Sequence, residues 1–133
     1  MLKPPRGDDQ PPDRRAKDES MELPFDNLVT RLRQILGVRL VAYIGGVMST
    51  RPVSSWADGA SEPGAVDQER LRHAYHAAAL LRERYGAATV QTWFKGMNPS
   101  LGDHAPAQVL RDGEPHAVAH NVIAAALSFA YVE

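Results

Sequence analysis

Four histidines stand at spacings that metal sites use. His73 and His76 are three residues apart, and His116 and His120 are four apart; on helices, each pair would present two imidazoles on one face. The chain has no cysteine, and no carboxylate-rich motif completes either set. These are therefore expected to be surface histidines, with no bound metal or other cofactor. Other catalytic chemistry is equally unrepresented: there is no glycine-rich phosphate loop, no nucleophile elbow and no HExxH segment. Gly45-Gly46 reads as a turn, and the acids are scattered over the N-terminal tail and helix surfaces. An enzyme is not expected.

A second set of residues has the chemistry of nucleic-acid contact. Ser49, Thr50, Arg51, Ser54 and Ser55 fall at the start of a short helical stretch, where a helix-turn-helix unit would present its recognition helix to the major groove. Between Asp26 and Ala57 there are four arginines (Arg31, Arg33, Arg39 and Arg51) against one acid, the balance that phosphate contacts need. Ala42, Gly46, Val53 and Trp56 can supply the small residue, the turn and the two buried anchors of such a unit, although the turn is one residue longer than usual. Arg51 is the one residue of the candidate recognition helix able to grip guanine bidentately. The competing account is a helical packing module whose Ser and Thr side chains serve as helix caps.

The elements that must carry these residues read as helices throughout, an all-α fold. The chain of 133 residues, 44% hydrophobic and 23% charged, suffices for one compact domain and a tail. Residues 1–24 hold five prolines and eleven mixed charges with little to bury, which predicts a disordered tail. Residues 25–64 form the helix-turn-helix-like part. One helix runs from Phe25 until Gly37 stops it, with Leu28, Leu32, Ile35 and Leu36 on one face; short helices follow over 38–44 and 51–58.

Residues 65–133 form a long connecting helix and a C-terminal helical domain. Asp67 is expected to cap the long helix, with Val66 and Leu71 as a hydrophobic staple. Leu71, Ala74, Tyr75, Ala78, Leu81 and Tyr85 make its apolar stripe, while Arg72, His76 and Glu83 lie away from it. Short helices over 87–94 and 105–110 and a terminal helix over 115–130, rich in small residues, complete the set. The longest apolar stretch, Val122 to Val132, is too short to span a membrane and is broken by Ser128. A net charge of −1 gives no global attraction to nucleic acid. A soluble, cytoplasmic protein is expected.

The segment from residue 90 onward is the most informative. Trp93-Phe94 is followed by Asn98-Pro99-Ser100-Leu101-Gly102, then by Pro106-Ala107-Gln108-Val109-Leu110, the break Asp112-Gly113 and the terminal helix. Local chemistry accounts for much of this. Asn98 can bond the backbone two residues on, Leu101 can plug a core, Gly102 admits a left-handed backbone angle, and Trp93 and Phe94 offer large buried area. On that account these residues simply maintain the fold.

The same order and spacing resemble the toxin-binding domain of Xre/MbcA/ParS antitoxins, and the upstream helix-turn-helix and long helix match that family's arrangement. The resemblance covers roughly residues 26–133 and is sharpest over the last 45. It implies a type II antitoxin that pairs with a RES-domain, NAD-consuming toxin and covers or fills the entrance to its active site. The implied toxin-binding residues are Asn98, Leu101, Gly102 and Asp103 in the turn, with Phe129, Tyr131, Val132 and Glu133 at the end of the last helix. A chain ending on two aromatics and a valine is expected to offer them to a partner, and Glu133 adds anionic groups suited to a phosphate-binding pocket. The resemblance also implies a homodimer, with operator DNA as a further partner. The alternatives are a stand-alone helix-turn-helix regulator and a scaffold or localisation factor.

Overall fold

The computed structural model describes residues 11–131. They form eight α-helices and no strand: α1 (Pro12–Glu22), α2 (Phe25–Leu36), α3 (Val38–Ile44), α4 (Arg51–Ala57), α5 (Ala65–Arg82), α6 (Ala87–Lys95), α7 (Pro106–Asp112) and α8 (Pro115–Tyr131), with a 3-10 turn at Pro99–Leu101. None of them is long and apolar enough to cross a membrane.

The helix-turn-helix-like part folds as its pattern predicts. α2 buries Phe25, Leu28, Val29, Leu32 and Leu36 along one face. α3 and α4 meet across the turn 45–50, where Ala42, Val53 and Trp56 are buried and Gly46 takes a positive φ of 77°. Gly45 lets the Trp56 ring close down on the turn, since a Cβ there would stand 3.0 Å from that ring.

α5 is the hub. It packs against α1, α2, α3, α6, α7 and α8, and one continuous apolar cluster extends from Ala16 to Ala130. The segments on either side of residue 64 therefore share one core. Side chains fasten the surrounding helices at their ends, where backbone carbonyls lack intrahelical donors. Gln91 Nε2 donates to the Ile35 carbonyl at 2.9 Å, and Arg70 Nη1 donates to the carbonyls of Leu110 and Arg111. The second of these anchors the α7–α8 corner to α5.

Two expectations about α5 are corrected. The helix begins at Ala65 with Gly64 before it and no side-chain cap, so Asp67 does not cap it and Val66 is 53% exposed rather than stapled. The start lies three residues earlier than the capping pattern predicts. Asp67 instead sits in the first turn, where an acid favours the helix dipole, 3.6 Å from Arg70. His76, expected on the surface, is buried, with its Nε2 2.8 Å from Asp13 Oδ1.

The reason His76 is buried is the third correction. The segment expected to be a disordered tail forms α1 from Pro12 and lies along α5; residues 1–10 fall outside the described residues. Ala16 and Ser20, one turn apart, are small enough to let the two helices approach, and both are buried. The charges that point to disorder in the sequence help hold α1 against its neighbours, α2 included. Arg15 reaches Glu83 at 2.6 Å, Arg31 reaches Glu19 at 2.9 Å, and Arg72 Nη1 donates to the carbonyls of Ser20 and Leu23, each at 3.0 Å.

Candidate protein-interaction surface

The turn between α6 and α7 is built from its own hydrogen bonds. Asn98 Oδ1 accepts from the Ser100 amide at 2.9 Å, and the Asn98 carbonyl accepts from Leu101 and Asp103, both at 2.9 Å. The Asn98 amide donates to the His104 carbonyl at 3.2 Å, closing the loop on itself. Gly102 has φ 65° and Asp103 φ 66°, two consecutive left-handed residues that only glycine and a short polar side chain accept readily. Leu101 points into the core while Gly102, Asp103 and His104 stay exposed. The result is a rigid knuckle with a polar tip.

The end of α8 lies beside this knuckle. The Phe129 ring is 6.4 Å from that of Trp93 and 5.1 Å from that of Tyr85, and the Tyr85 hydroxyl donates to the Phe129 carbonyl at 3.1 Å. Arg84 stands over the Tyr131 ring at 5.3 Å. The expectation that the terminal aromatics lack internal partners is thus corrected: α6 and the end of α5 receive them.

The aromatics are nonetheless incompletely covered. Phe129 remains 45% exposed and Tyr131 42%, and Met97 beside them is 82% exposed. A cleft of about 290 Å³, lined by Trp93, Met97, Asn98, Pro99, Ser100 and Phe129 among others, separates the knuckle from α8. At its edge Trp93 Nε1 is buried with no acceptor. Asn98, Leu101 and Phe129 are therefore brought together, with Gly102 and Asp103 at the tip of the knuckle. Tyr131 lies further along α8, and Val132 and Glu133 fall outside the described residues. Sequence reasoning does not single out Met97 or Arg84, and gives Tyr85 only as part of the apolar stripe of the long helix; an unpaired methionine ahead of the Asn-Pro turn is the available signal for the first.

The second candidate face lies at the start of α4. Ser49, Thr50, Arg51 and Ser54 are exposed, and Thr50, which precedes the helix, makes no side-chain capping bond. Ser55 is engaged with Ser61, oxygen to oxygen at 2.6 Å. Arg39 lines a shallow cleft with Ser49 and Thr50. Arg111, which lines the same cleft, covers the Tyr43 ring at 4.5 Å, and Arg31 on α2 is engaged elsewhere, where a hydrogen bond to Tyr75 and the charge of Glu19 hold its guanidinium above its ordinary pKa.

The histidines pair across helices rather than along them. His73 on α5 and His116 on α8 approach edge to face with ring centroids 6.4 Å apart, with Glu69 between them. His120 is exposed. No protein-family model, curated protein or solved structure matches this chain.

Proposed function

We propose that this chain is a type II antitoxin that binds and neutralises a RES-domain, NAD-consuming toxin, acts as a homodimer in the cytoplasm and represses its own operon. The reading is carried by the ordered series from Trp93-Phe94 through Asn98-Pro99-Ser100-Leu101-Gly102 to α8. Its support from geometry is that the middle and the end of this series line one cleft, with Met97 and Phe129 exposed at its sides and the buried Trp93 between them. Exposed aromatic and methionine side chains around a polar rim are what interface cores use.

The test is co-expression with the product of the neighbouring gene, using the full chain and a version lacking residues 127–133. Complex formation and rescue of growth by the full chain alone assign inhibition to the end of α8. Rescue by both versions assigns it to the body around Trp93 to Leu110. Rescue by neither removes the antitoxin reading. A stand-alone regulator is the second reading, favoured by the exposed Ser49 and Thr50, which share a cleft with Arg39, and by the exposed Arg51 and Ser54 that follow them on α4.

A further inference from the structure

Glu69 and His73 are one helical turn apart on α5, and Pro115 starts α8 so that His116 reaches back over them. The His116 Nε2 atom is 2.9 Å from Glu69 Oε1, His73 Nε2 is 3.8 Å from the same oxygen, and one ligand atom from each of the three residues lies within 4.8 Å of the others. Tetrahedral zinc with ligand bonds of about 2.1 Å spaces its ligands about 3.4 Å apart. The cluster brackets that spacing, so side-chain swings of about 1 Å would complete it.

We propose that Glu69, His73 and His116 form a zinc-class divalent cation site that clamps the first turn of α8 to α5. A second observation points the same way. His73 Nε2 is buried and has no hydrogen-bond partner, an uncompensated loss of solvation for a neutral acceptor that a cation would relieve. Two imidazoles and one carboxylate suit zinc and its neighbours in the first transition row rather than magnesium or calcium, which take oxygen. Three protein ligands leave a fourth position for water or for a group from a partner.

The site stands apart from the antitoxin reading and survives its failure. The test is a zinc titration of the untagged, chelator-stripped full chain by calorimetry, with cobalt as an optical probe. One equivalent should bind, cobalt should give the visible spectrum of a four-coordinate ion, and zinc should raise the melting temperature. His116→Ala, at a side chain 77% exposed and so without cost to the core, should weaken binding beyond the roughly 10–100-fold that changes outside the ligand shell cause. Glu69→Gln should do the same, and His120→Ala should bind as the parent does. Absence of stoichiometric binding, or binding undiminished in His116→Ala, overturns the proposal. So does loss in His120→Ala with His116→Ala intact, which would place the metal elsewhere on α8.

Discussion

The Trp93 and Phe129 rings lie 6.4 Å apart, yet the two side chains are buried to very different extents. Trp93 is a core residue with an unpaired indole nitrogen, and Phe129 is its half-exposed cover. In the antitoxin reading proposed above, this half-exposed cover is where the apolar layer would continue into the toxin.

Substitution at this surface should therefore separate binding from folding. Met97→Ala, at a side chain 82% exposed, should change stability by no more than about 0.5 kcal/mol yet weaken toxin binding by about 1 kcal/mol or more, roughly fivefold. Phe129→Ala should weaken binding further, and should also lower stability by about 1.5–2.5 kcal/mol, because half of a buried-phenylalanine cost applies. Calorimetric affinity and thermal melting, read side by side, check this. Unchanged affinity in both variants would remove the surface from the interface.

The knuckle makes a second prediction, about backbone conformation alone. Gly102 has φ 65°, and a Cβ added there would meet nothing closer than His104 Cδ2 at 3.7 Å, so Gly102→Ala should cost about 1 kcal/mol through the left-handed angle. Gly102→Asn should cost less, since asparagine accepts that region. At Gly45 the physics is different. There the angle is ordinary, φ −74°, but a Cβ meets Trp56, so Ala and Asn should both destabilise by about 1–3 kcal/mol. Thermal melts in which Asn and Ala are equivalent at position 102 would show that strain is not what glycine relieves.

What is legible in the sequence is local. Helix spacing and glycine stops delimit α2 to α8 because each helix has a face of its own to bury, as Leu28, Leu32 and Leu36 do in α2. The Asn98 turn and the Gly102 angle are readable because their bonds close within seven residues. What cannot be read depends on partners far along the chain. α1 is held through Arg15 and Glu83, 68 residues apart, and by small residues whose burial no hydrophobic pattern announces. Sequence spacing pairs the histidines along each helix, whereas the fold brings His73 to His116 through the Arg70 tether at the α7–α8 corner. For the same reason Phe129 has no visible partner in the sequence, while the fold sets Tyr85 and Trp93 beneath it.

The docking of α1 leads to a third prediction. Its docking rests on Ala16 and Ser20 and on partly exposed ion pairs to Glu83 and, on α2, to Arg31, each worth about 0–1 kcal/mol. Ala16→Glu should place an unpaired charge in that contact, at a site 2% exposed, and undock α1 without unfolding the rest. Limited proteolysis should then cut within residues 11–24 and leave a resistant fragment containing α2 to α8. Hydrogen exchange should show protection in α1 lost and in α5 largely kept, except near His76, which loses its cover. Loss of protection throughout would instead make α1 part of the cooperative core.

DNA contact supplies the last prediction. With a net charge of −1, any binding must come from a local cluster, and the arginines flanking the start of α4 are Arg39 and Arg51. Two such contacts per protomer give a slope of log affinity against log salt of about −2, or about −4 for a dimer. Arg51→Ala should reduce that slope by about one per protomer and weaken binding to a duplex carrying the chain's own promoter. Ser54→Ala at the same exposed helix face should alter sequence preference while leaving the slope unchanged, since a neutral side chain releases no counterion. Fluorescence anisotropy at several salt concentrations measures both quantities. A slope that survives Arg51→Ala would move the phosphate contacts away from α4, and the helix-turn-helix geometry would then serve packing rather than recognition.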